Sequence, residues 1–316
     1  MSKVAFVFPG QGSQFVGMGR SLAEQSAAAR EVFERADEAL GFSLSSLCFE
    51  GPEEELRLTV NTQPAILTTS VAVLAALREQ RPDVAPDYVA GHSLGEYSAL
   101  VAAESMAFAD AVKVVRARGQ FMEEAVPAGQ GAMAAVLGMD RQALQDVCET
   151  VTASGHPVQP ANMNGPGQIV ISGTAEGVRL AGEQAKAAGA KRVLPLNVSG
   201  PFHSSLMQPA AERLKGVLAN IDVKDARVPV VANVSARPET AAAAIVDNLV
   251  KQVAAPVLWE DSVRWMAEQG VTTFVEIGPG KVLAGLIKKI APTGTTIVSV
   301  QDMESLHELL NGGVLC

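Results

Sequence analysis

A serine flanked by glycines is the strongest candidate for chemistry in this chain. The run Gly91-His92-Ser93-Leu94-Gly95 matches G-x-S-x-G, a nucleophile elbow in which glycines allow a tight turn that lifts the serine above a sheet. A serine hydroxyl is a weak nucleophile, so it needs a nearby base and donors for the developing oxyanion. The main-chain N–H of Leu94 can point at that oxyanion. The pattern therefore favours covalent catalysis through Ser93 over a structural glycine turn.

The base must come from one of four histidines. His92 adjoins the serine, but neighbouring side chains on a tight turn point apart, which favours a packing or backbone-bonding role. His156 lies in a loop and His307 in a polar C-terminal helix, so both favour surface positions. His203, in the turn 199–204, is the best candidate base. Because no Asp or Glu partner is evident, we expect a main-chain carbonyl to orient its imidazole.

The serine turn lies in a strand–turn–helix unit of an α/β domain. Tyr88 to Ala90 predict a strand before the turn, and Glu96 to Ala103 predict a helix after it. Val4 to Phe8 predict a second buried strand, and Thr273 to Ile277 a third, with a helix following at Val282 to Ile290. Alternating strands and helices of this kind predict a mainly parallel sheet covered on both faces.

The segment 129–198 has a different pattern. Its predicted order, βαββαβ, is the ferredoxin-like arrangement, whose two ends return close together, as an insertion requires. Pro160 lacks an N–H and therefore favours an edge position for the second strand. The sequence predicts a large α/β domain in two parts, 1–128 and 199–316, with the ferredoxin-like small domain at 129–198 between them.

Composition excludes several classes of protein. The 316 residues are 48% hydrophobic and 4% aromatic, which suits an α/β enzyme with a substantial core. No run reaches the roughly 18 apolar residues of a membrane-spanning helix, and the N-terminus lacks signal-peptide order, so we expect a cytoplasmic protein without a membrane partner. A net charge of −9 argues against nucleic acid binding. Cys48, Cys148 and Cys316 are scattered, so we expect neither disulfides nor a metal site, only buried or incidental thiols.

Several motifs in order resemble the malonyl-CoA:acyl carrier protein transacylase family over nearly the full length of the chain. A set of motifs in the right order is far more specific than any one of them. The resemblance implies a hydrolase-like large domain that carries a ferredoxin-like small domain, with the active site between them. The motifs are Phe8-Pro9-Gly10-Gln11-Gly12-Ser13-Gln14, Asn61-Thr62-Gln63-Pro64-Ala65, Gly91-His92-Ser93-Leu94-Gly95-Glu96-Tyr97, Arg116-Ala117-Arg118-Gly119, Gly165-Pro166-Gly167-Gln168 and Glu276-Ile277-Gly278-Pro279-Gly280.

The resemblance also implies an activity. Malonyl would pass from malonyl-CoA through an ester on Ser93 to the phosphopantetheine thiol of acyl carrier protein, by a ping-pong mechanism with His203 as base and without a cofactor. Arg118 resembles the residue that pairs with the malonyl carboxylate, and a guanidinium suits that task because it holds a carboxylate by two parallel hydrogen bonds. A free-standing chain favours fatty acid biosynthesis over a polyketide pathway.

Supporting residues follow from the same resemblance. Gln11 and Leu94 resemble the positions whose N–H groups form the oxyanion hole, and Gln252 resembles the glutamine that supports the histidine and the malonyl end. Phe202, next to the base, should crowd the carbon between the two malonyl carbonyls and so favour malonyl over methylmalonyl. Glu104 stands where the family usually has glycine, which puts local packing in doubt rather than chemistry.

Carrier proteins of this family are acidic, so a docking patch should be locally basic. The candidates are Lys191 with Arg192, and Lys288 with Lys289.

Two other functions compete with this interpretation. A serine esterase or thioesterase of α/β-hydrolase type shares the elbow, but it would place an acid and then a histidine near the C-terminus, where His307 is the one candidate. A non-catalytic carrier-binding module is disfavoured because a nucleophile, a base and an arginine are all present.

Overall fold

The structure, a computed structural model, describes residues 2–314; Met1, Leu315 and Cys316 lie outside the described residues, so the expectation for the Cys316 thiol is not addressed. The strands are β1 Lys3–Phe8, β2 Tyr88–Gly91, β3 Gly131–Leu137, β4 Val158–Gly165, β5 Gln168–Thr174, β6 Arg192–Pro195, β7 Val230–Val231, β8 Pro238–Glu239, β9 Val271–Ile277 and β10 Thr296–Val300. The helices are α1 Arg20–Gln25, α2 Ala27–Leu40, α3 Leu44–Glu50, α4 Glu53–Arg57, α5 Thr59–Gln80, α6 Gly95–Ala102, α7 Phe108–Glu124, α8 Arg141–Ala153, α9 Ala175–Ala187, α10 Gln208–Leu218, α11 Ala242–Gln252, α12 Trp259–Glu268, α13 Val282–Ile290 and α14 Met303–Asn311.

A six-stranded sheet with the order β10-β9-β1-β2-β7-β8 forms the centre of the large domain. Every neighbouring pair in it is parallel except β7 with β8. The last four residues of β1, Ala5 to Phe8, are buried on both faces, as is typical of a parallel sheet covered by helices. The expected mainly parallel, covered sheet is confirmed.

A four-stranded antiparallel sheet, with the order β4-β5-β3-β6, forms the small domain. Helices α8 and α9 complete the βαββαβ order, so the expected ferredoxin-like arrangement is confirmed. Pro160 lies on β4, an edge strand, as its missing N–H predicts. The predicted last strand, 191–198, is shorter in the structure and ends at Pro195. The Leu196 N–H still donates to the Met133 carbonyl of β3, and residues 196–198 line a cleft.

Helix α5 is the central apolar helix of the large domain. It is long and apolar enough to cross a membrane by length and composition, but 83% of its apolar window is buried inside the protein. It packs against α2 and α7, so its hydrophobicity serves the core. Pro64 lies inside this helix, five residues after its first residue, Thr59.

The turn after helix α6 contains a residue in a strained backbone conformation. Glu104, just after α6, has φ 57°, in the left-handed region that favours glycine. Its carboxylate forms a surface ion pair with Arg227, at 2.9 Å. The strained backbone at Glu104 therefore lies in an exposed turn.

Candidate active site

The serine turn is the tight elbow that its glycines predict. Ser93 has φ 52°, a strained backbone conformation for a residue with a side chain. A Cβ atom at Gly91 would lie 1.9 Å from the Gly95 carbonyl, and one at Gly95 would lie 2.1 Å from the Phe8 carbonyl oxygen. Only glycine at both positions lets the turn close on itself and on the end of β1. This packing sets Ser93 at the carboxyl end of β2.

Ser93 and His203, 110 residues apart, form a hydrogen bond of 2.7 Å between Oγ and Nε2. The other ring nitrogen, Nδ1, lies 2.8 Å from the main-chain carbonyl oxygen of Gln252. Because a carbonyl can only accept, Nδ1 carries the proton of the neutral ring, and Nε2 is free to accept from the serine hydroxyl. The imidazole is thus oriented by a main-chain carbonyl, as we expected.

Burial and then the positive charge of Arg118 lower the pKa of His203 to about 3. The imidazole is therefore neutral near pH 7, which is the form that can accept a proton from Ser93.

Arg118 reaches the same point from helix α7. Its guanidinium is buried and donates from Nη1 to Gln63 Oε1 at 2.8 Å and from Nη2 to Gln252 Oε1 at 2.9 Å. Nη2 also donates to Ser93 Oγ, at 3.1 Å. A Cβ atom at Gly119 would lie 2.7 Å from the Thr59 carbonyl oxygen, so the glycine after the arginine lets α7 approach the start of α5.

The charge of Arg118 has no direct acidic partner in the described part of the chain. Its buried Nε–H also lacks a hydrogen-bond partner there. Burial lowers the pKa of Arg118 from its ordinary value. A buried cation whose direct hydrogen bonds all go to neutral groups favours binding an anion, because pairing would compensate its desolvation.

A cleft of about 620 Å³ opens above these groups. Ser93, Leu94, Arg118 and His203 line it together with Gln11 and Phe202. Within residues 2–314, neither the Gln11 nor the Leu94 main-chain N–H has a hydrogen-bond acceptor. Residues with free main-chain donors, lining the same cleft as Ser93, suit an oxyanion hole.

Gln252 connects the base and the arginine. Its carbonyl oxygen accepts from His203 and its side-chain Oε1 accepts from Arg118. Its Nε2 donates to the Ser93 carbonyl oxygen at 3.0 Å and to Glu96 Oε2 at 2.8 Å. The residue is completely buried, so these bonds hold it in one orientation.

Sequence reasoning missed Asn233 and assigned no role to Glu96. Asn233 accepts from the Ser93 N–H at 2.7 Å and donates to the Gly91 carbonyl at 2.7 Å, so it braces both sides of the elbow. Glu96 Oε2 accepts from the Asn233 N–H at 3.0 Å. A lone acid in the apolar helix after the elbow was the available signal for Glu96, because acids are rarely buried without a partner.

The other histidines lie elsewhere. His92 is next to Ser93 in the elbow. Its Nε2 lies 2.8 Å from Asn164 Oδ1 of the small domain, so it bonds to a side chain and not only to the backbone. His156 is partly buried in a loop of the small domain. His307 is exposed on α14, which packs against β10, three strands from β2. This position separates it from Ser93 by roughly 14 Å of sheet.

Three of the four basic docking candidates lie along one end of the small sheet. Lys289 Nζ donates to Gln168 Oε1 at 3.3 Å. Gln168 pairs with Leu137, which pairs in turn with Arg192. Lys191 precedes Arg192, and Lys288 is exposed next to Lys289 on α13.

The mainly parallel sheet, the elbow and the paired serine and histidine define the class of protein as an α/β enzyme with a serine nucleophile, which includes acyl transferases and esterases. Residues 5–306 match a family described as acyl transferase domain. A malonyl CoA-acyl carrier protein transacylase from Bacillus subtilis (strain 168) is 60% identical over 307 residues, which is 97% of this chain and 96% of the relative. One from Escherichia coli (strain K12) is 52% identical, over 93% of this chain and 95% of the relative. The chain belongs to the malonyl CoA-acyl carrier protein transacylase family.

Solved structures agree with this assignment. The crystal structure of an acyl carrier protein S-malonyltransferase from Vibrio cholerae superimposes with a TM-score of 0.94 and 47% identity, over 98% of this chain and 100% of that one. A malonyl-transacylase in complex with a type II polyketide acyl carrier protein has a TM-score of 0.93 and 46% identity, over 99% of this chain and 100% of that one.

Proposed function

We propose that this chain transfers the malonyl group of malonyl-CoA to the phosphopantetheine thiol of acyl carrier protein, in fatty acid biosynthesis. The observation that carries the proposal is the convergence on one oxygen atom. Ser93 Oγ donates to His203 Nε2 and accepts from Arg118 Nη2, so a nucleophile, a base and a carboxylate-binding group share one site.

The first half-reaction forms a malonyl-serine ester. Ser93 Oγ attacks the thioester carbonyl carbon while His203 Nε2 takes the hydroxyl proton. The negative oxygen of the tetrahedral intermediate accepts from the Gln11 and Leu94 N–H groups. The carbon–sulfur bond then breaks, and the departing sulfur of coenzyme A takes the proton from His203.

Substrate binding also tunes the base. The charge of Arg118 is one of the causes that lower the pKa of His203. A malonyl carboxylate paired with Arg118 offsets that charge, so it raises the basicity of His203 when the correct substrate is bound. An acyl group without the carboxylate lacks both the ion pair and this activation.

In the second half-reaction the carrier thiol loses its proton to His203, and its sulfur attacks the ester carbonyl. The same two N–H groups stabilise the oxyanion, and collapse restores the Ser93 hydroxyl with the proton from His203. Arg118 keeps the malonyl carboxylate in place through both halves, so the acyl carbon does not have to be repositioned.

Phe202 limits the acyl group in this proposal. It is buried, lines the cleft and precedes the base, which supports crowding at the carbon between the two carbonyls. Replacing it with the smaller serine (Phe202→Ser) should raise the ratio of methylmalonyl to malonyl loading. An unchanged ratio would reject this role.

The docking surface for acyl carrier protein is proposed to be the basic cluster Lys191, Arg192, Lys288 and Lys289. All four side chains are exposed, and an acidic partner would be attracted to them. Changing all four to alanine should raise KM for the carrier protein while leaving Ser93 acylation by malonyl-CoA unchanged. Alanine at Lys113 and Lys215, exposed on α7 and α10, is the matched control; an unchanged carrier KM in the fourfold variant would rule out the cluster.

We also propose that residues 1–128 and 199–316 form one domain with 129–198 inserted, and that the protein works in the cytoplasm. The separate sheet built by the inserted segment supports the division, and the buried position of the apolar helix α5 supports a protein that does not use it as an anchor.

The decisive experiment is intact-mass spectrometry after incubation with malonyl-CoA. The wild type should gain one malonyl group and lose it again when holo-acyl carrier protein is added, while Ser93→Ala should gain none. Loss of the adduct to free malonate at the same rate without carrier protein would instead support a thioesterase, and absence of any adduct would support a non-catalytic binding module.

A further inference from the structure

The amide of Gln252 has two chemically different ends, and its surroundings distinguish them. Oε1 accepts from Arg118 Nη2 at 2.9 Å. Nε2 faces acceptors: Glu96 Oε2 at 2.8 Å, the Ser93 carbonyl oxygen at 3.0 Å and Asn233 Oδ1 at 3.3 Å. A flipped amide would place a donor against the guanidinium and an acceptor against three oxygens, which costs several hydrogen bonds in a buried site.

Among these acceptors, Glu96 is the only ionisable one. Its Oε2 also accepts from the Asn233 N–H, so the carboxylate is itself anchored to the main chain. The side chain is 3% exposed and lies on the first turn of α6, directly after the elbow. Glu96 therefore connects the nucleophile turn to the amide that contacts Arg118.

We propose that Glu96 is a positioning residue that fixes the Gln252 amide, and through it holds Arg118 in place for the carboxylate of the acyl group. Glu96 is not among the residues that line the cleft, and its carboxylate accepts from Asn233 and Gln252 rather than from Ser93 or His203. The inference rests on the proposed function, because it concerns the choice between malonyl and acyl groups that lack a carboxylate.

The position of Gln252 between Glu96 and Arg118 has a chemical advantage. A glutamate bonded directly to Arg118 would occupy the guanidinium with a resident carboxylate, and the malonyl carboxylate would have to displace it. With Gln252 between them, Arg118 gains an acidic neighbour that partly compensates its buried charge. Its contact with the cleft is a replaceable hydrogen bond to Ser93 Oγ.

A purely structural role makes a different prediction. Glu96 also supports Asn233, which braces the elbow at the Ser93 N–H and the Gly91 carbonyl. Damage to the elbow would slow Ser93 acylation by every acyl-CoA in the same proportion. Damage to the Arg118 support would slow malonyl loading selectively.

The test measures second-order rate constants for Ser93 acylation by malonyl-CoA and by acetyl-CoA, using quenched flow and intact-mass detection. Glu96→Leu should lower the malonyl rate constant about tenfold, as expected when a buried donor, the Gln252 Nε2–H, loses its acceptor, and should lower the acetyl rate constant much less. Glu96→Gln keeps an oxygen acceptor at the same place, so it should restore most of the malonyl preference. Glu276→Gln is the matched control: that buried glutamate caps α13, at Leu283 and Ala284, and the substitution should leave the ratio unchanged.

Two results would overturn the inference: equal loss with both substrates in Glu96→Leu, or a Glu96→Gln variant that is as impaired as Glu96→Leu. If Glu96→Leu does not fold, as judged by circular dichroism, Glu96→Asp carries the test, because it withdraws the oxygen by about one carbon–carbon bond of ~1.5 Å. It should then show the same selective loss in smaller degree, and a proportional loss would again reject the role. A wild type that does not load malonyl would instead reject the proposed function.

Discussion

The two walls of the cleft differ in the chemistry of their side chains. The large domain contributes Ser93, His203 and Arg118. Among the described residues, the small domain contributes Met133, Asn162 and the segment Leu196–Val198, none of which is ionisable. The difference indicates a division of labour: one wall makes and breaks bonds, and the other fits the rest of the substrate.

The physical reason is that buried charges need support. Arg118 and His203 are held by Gln63, inside helix α5, and by Gln252, the last residue of helix α11. The small-domain wall is built from a four-stranded sheet and an irregular segment after β6. We therefore expect changes in the first wall to alter kcat or acyl selectivity, and changes in the second to alter KM.

The largest effect is expected from the base. His203→Ala removes the proton acceptor of Ser93, so kcat should fall by about 10³-fold or more, while KM for malonyl-CoA changes little. Steady-state kinetics with purified carrier protein measures both. A drop in kcat of less than about tenfold would mean that another group takes the proton. It would contradict the assignment of bond making and breaking to this wall of the cleft.

The second largest effect is expected from a change in Arg118, and it tests whether this residue binds the malonyl carboxylate. Arg118→Lys keeps a positive charge but loses the planar fork, so kcat/KM for malonyl-CoA should fall by about 10²-fold, in the range of an impaired buried ion pair. Acetyl loading should change far less, because acetyl has no carboxylate. The measurement is competition between the two acyl-CoA substrates. A proportional loss for both would contradict a carboxylate-binding role.

The pH dependence tests the environment of His203. Because its pKa is lowered to about 3, the base stays neutral well below the ordinary histidine value of 6.5, and protonation of His203 should not slow Ser93 acylation between about pH 7 and 5. Removing the Arg118 charge in Arg118→Met should raise that pKa and move the acid limb upward. Two other titratable groups face this site, His92 and Glu96. Burial raises the pKa of Glu96 to about 7. The pH profile of Ser93 acylation is therefore also measured in Glu96→Gln. An acid limb near pH 6.5 in both the wild type and Glu96→Gln would contradict the lowered pKa of His203.

The smallest effect belongs to the small-domain wall. Met133→Ala should raise KM for malonyl-CoA by about threefold, equivalent to ~0.6 kcal/mol of lost apolar contact, and leave kcat unchanged. A fall in kcat comparable with that of Arg118→Lys would show that the small domain takes part in the chemistry.

The sequence predicted the parts of the site that depend on local backbone geometry. The Gly91–Gly95 pattern indicated the elbow because a tight turn has few sequence solutions. The order of predicted strands and helices in 129–198 indicated the ferredoxin-like insert, because the hydrophobic residues of each element recur with a clear period. His203 was found by elimination among only four histidines.

The other residues of the site depend on tertiary contacts, and the sequence around each of them does not indicate those contacts. Asn233 follows a strand of two residues, β7, and its importance arises from bonds to residues about 140 positions away. Gln252 and Arg118 could be assigned only through the family resemblance, because nothing in their immediate neighbours indicates a shared site. A polar residue that acts through distant partners cannot be identified from spacing alone.

The two members of the 2.7 Å hydrogen bond share a further property: both have left-handed backbones, with φ 52° at Ser93 and φ 58° at His203. Glycine is the residue that relieves such a conformation, and non-glycine residues cost roughly 1 kcal/mol or more there. A laboratory search for heat-resistant variants that ignored activity would therefore be drawn towards glycine at these two positions, and its most durable products would be inert. Selection for turnover must accompany selection for stability in engineering this enzyme.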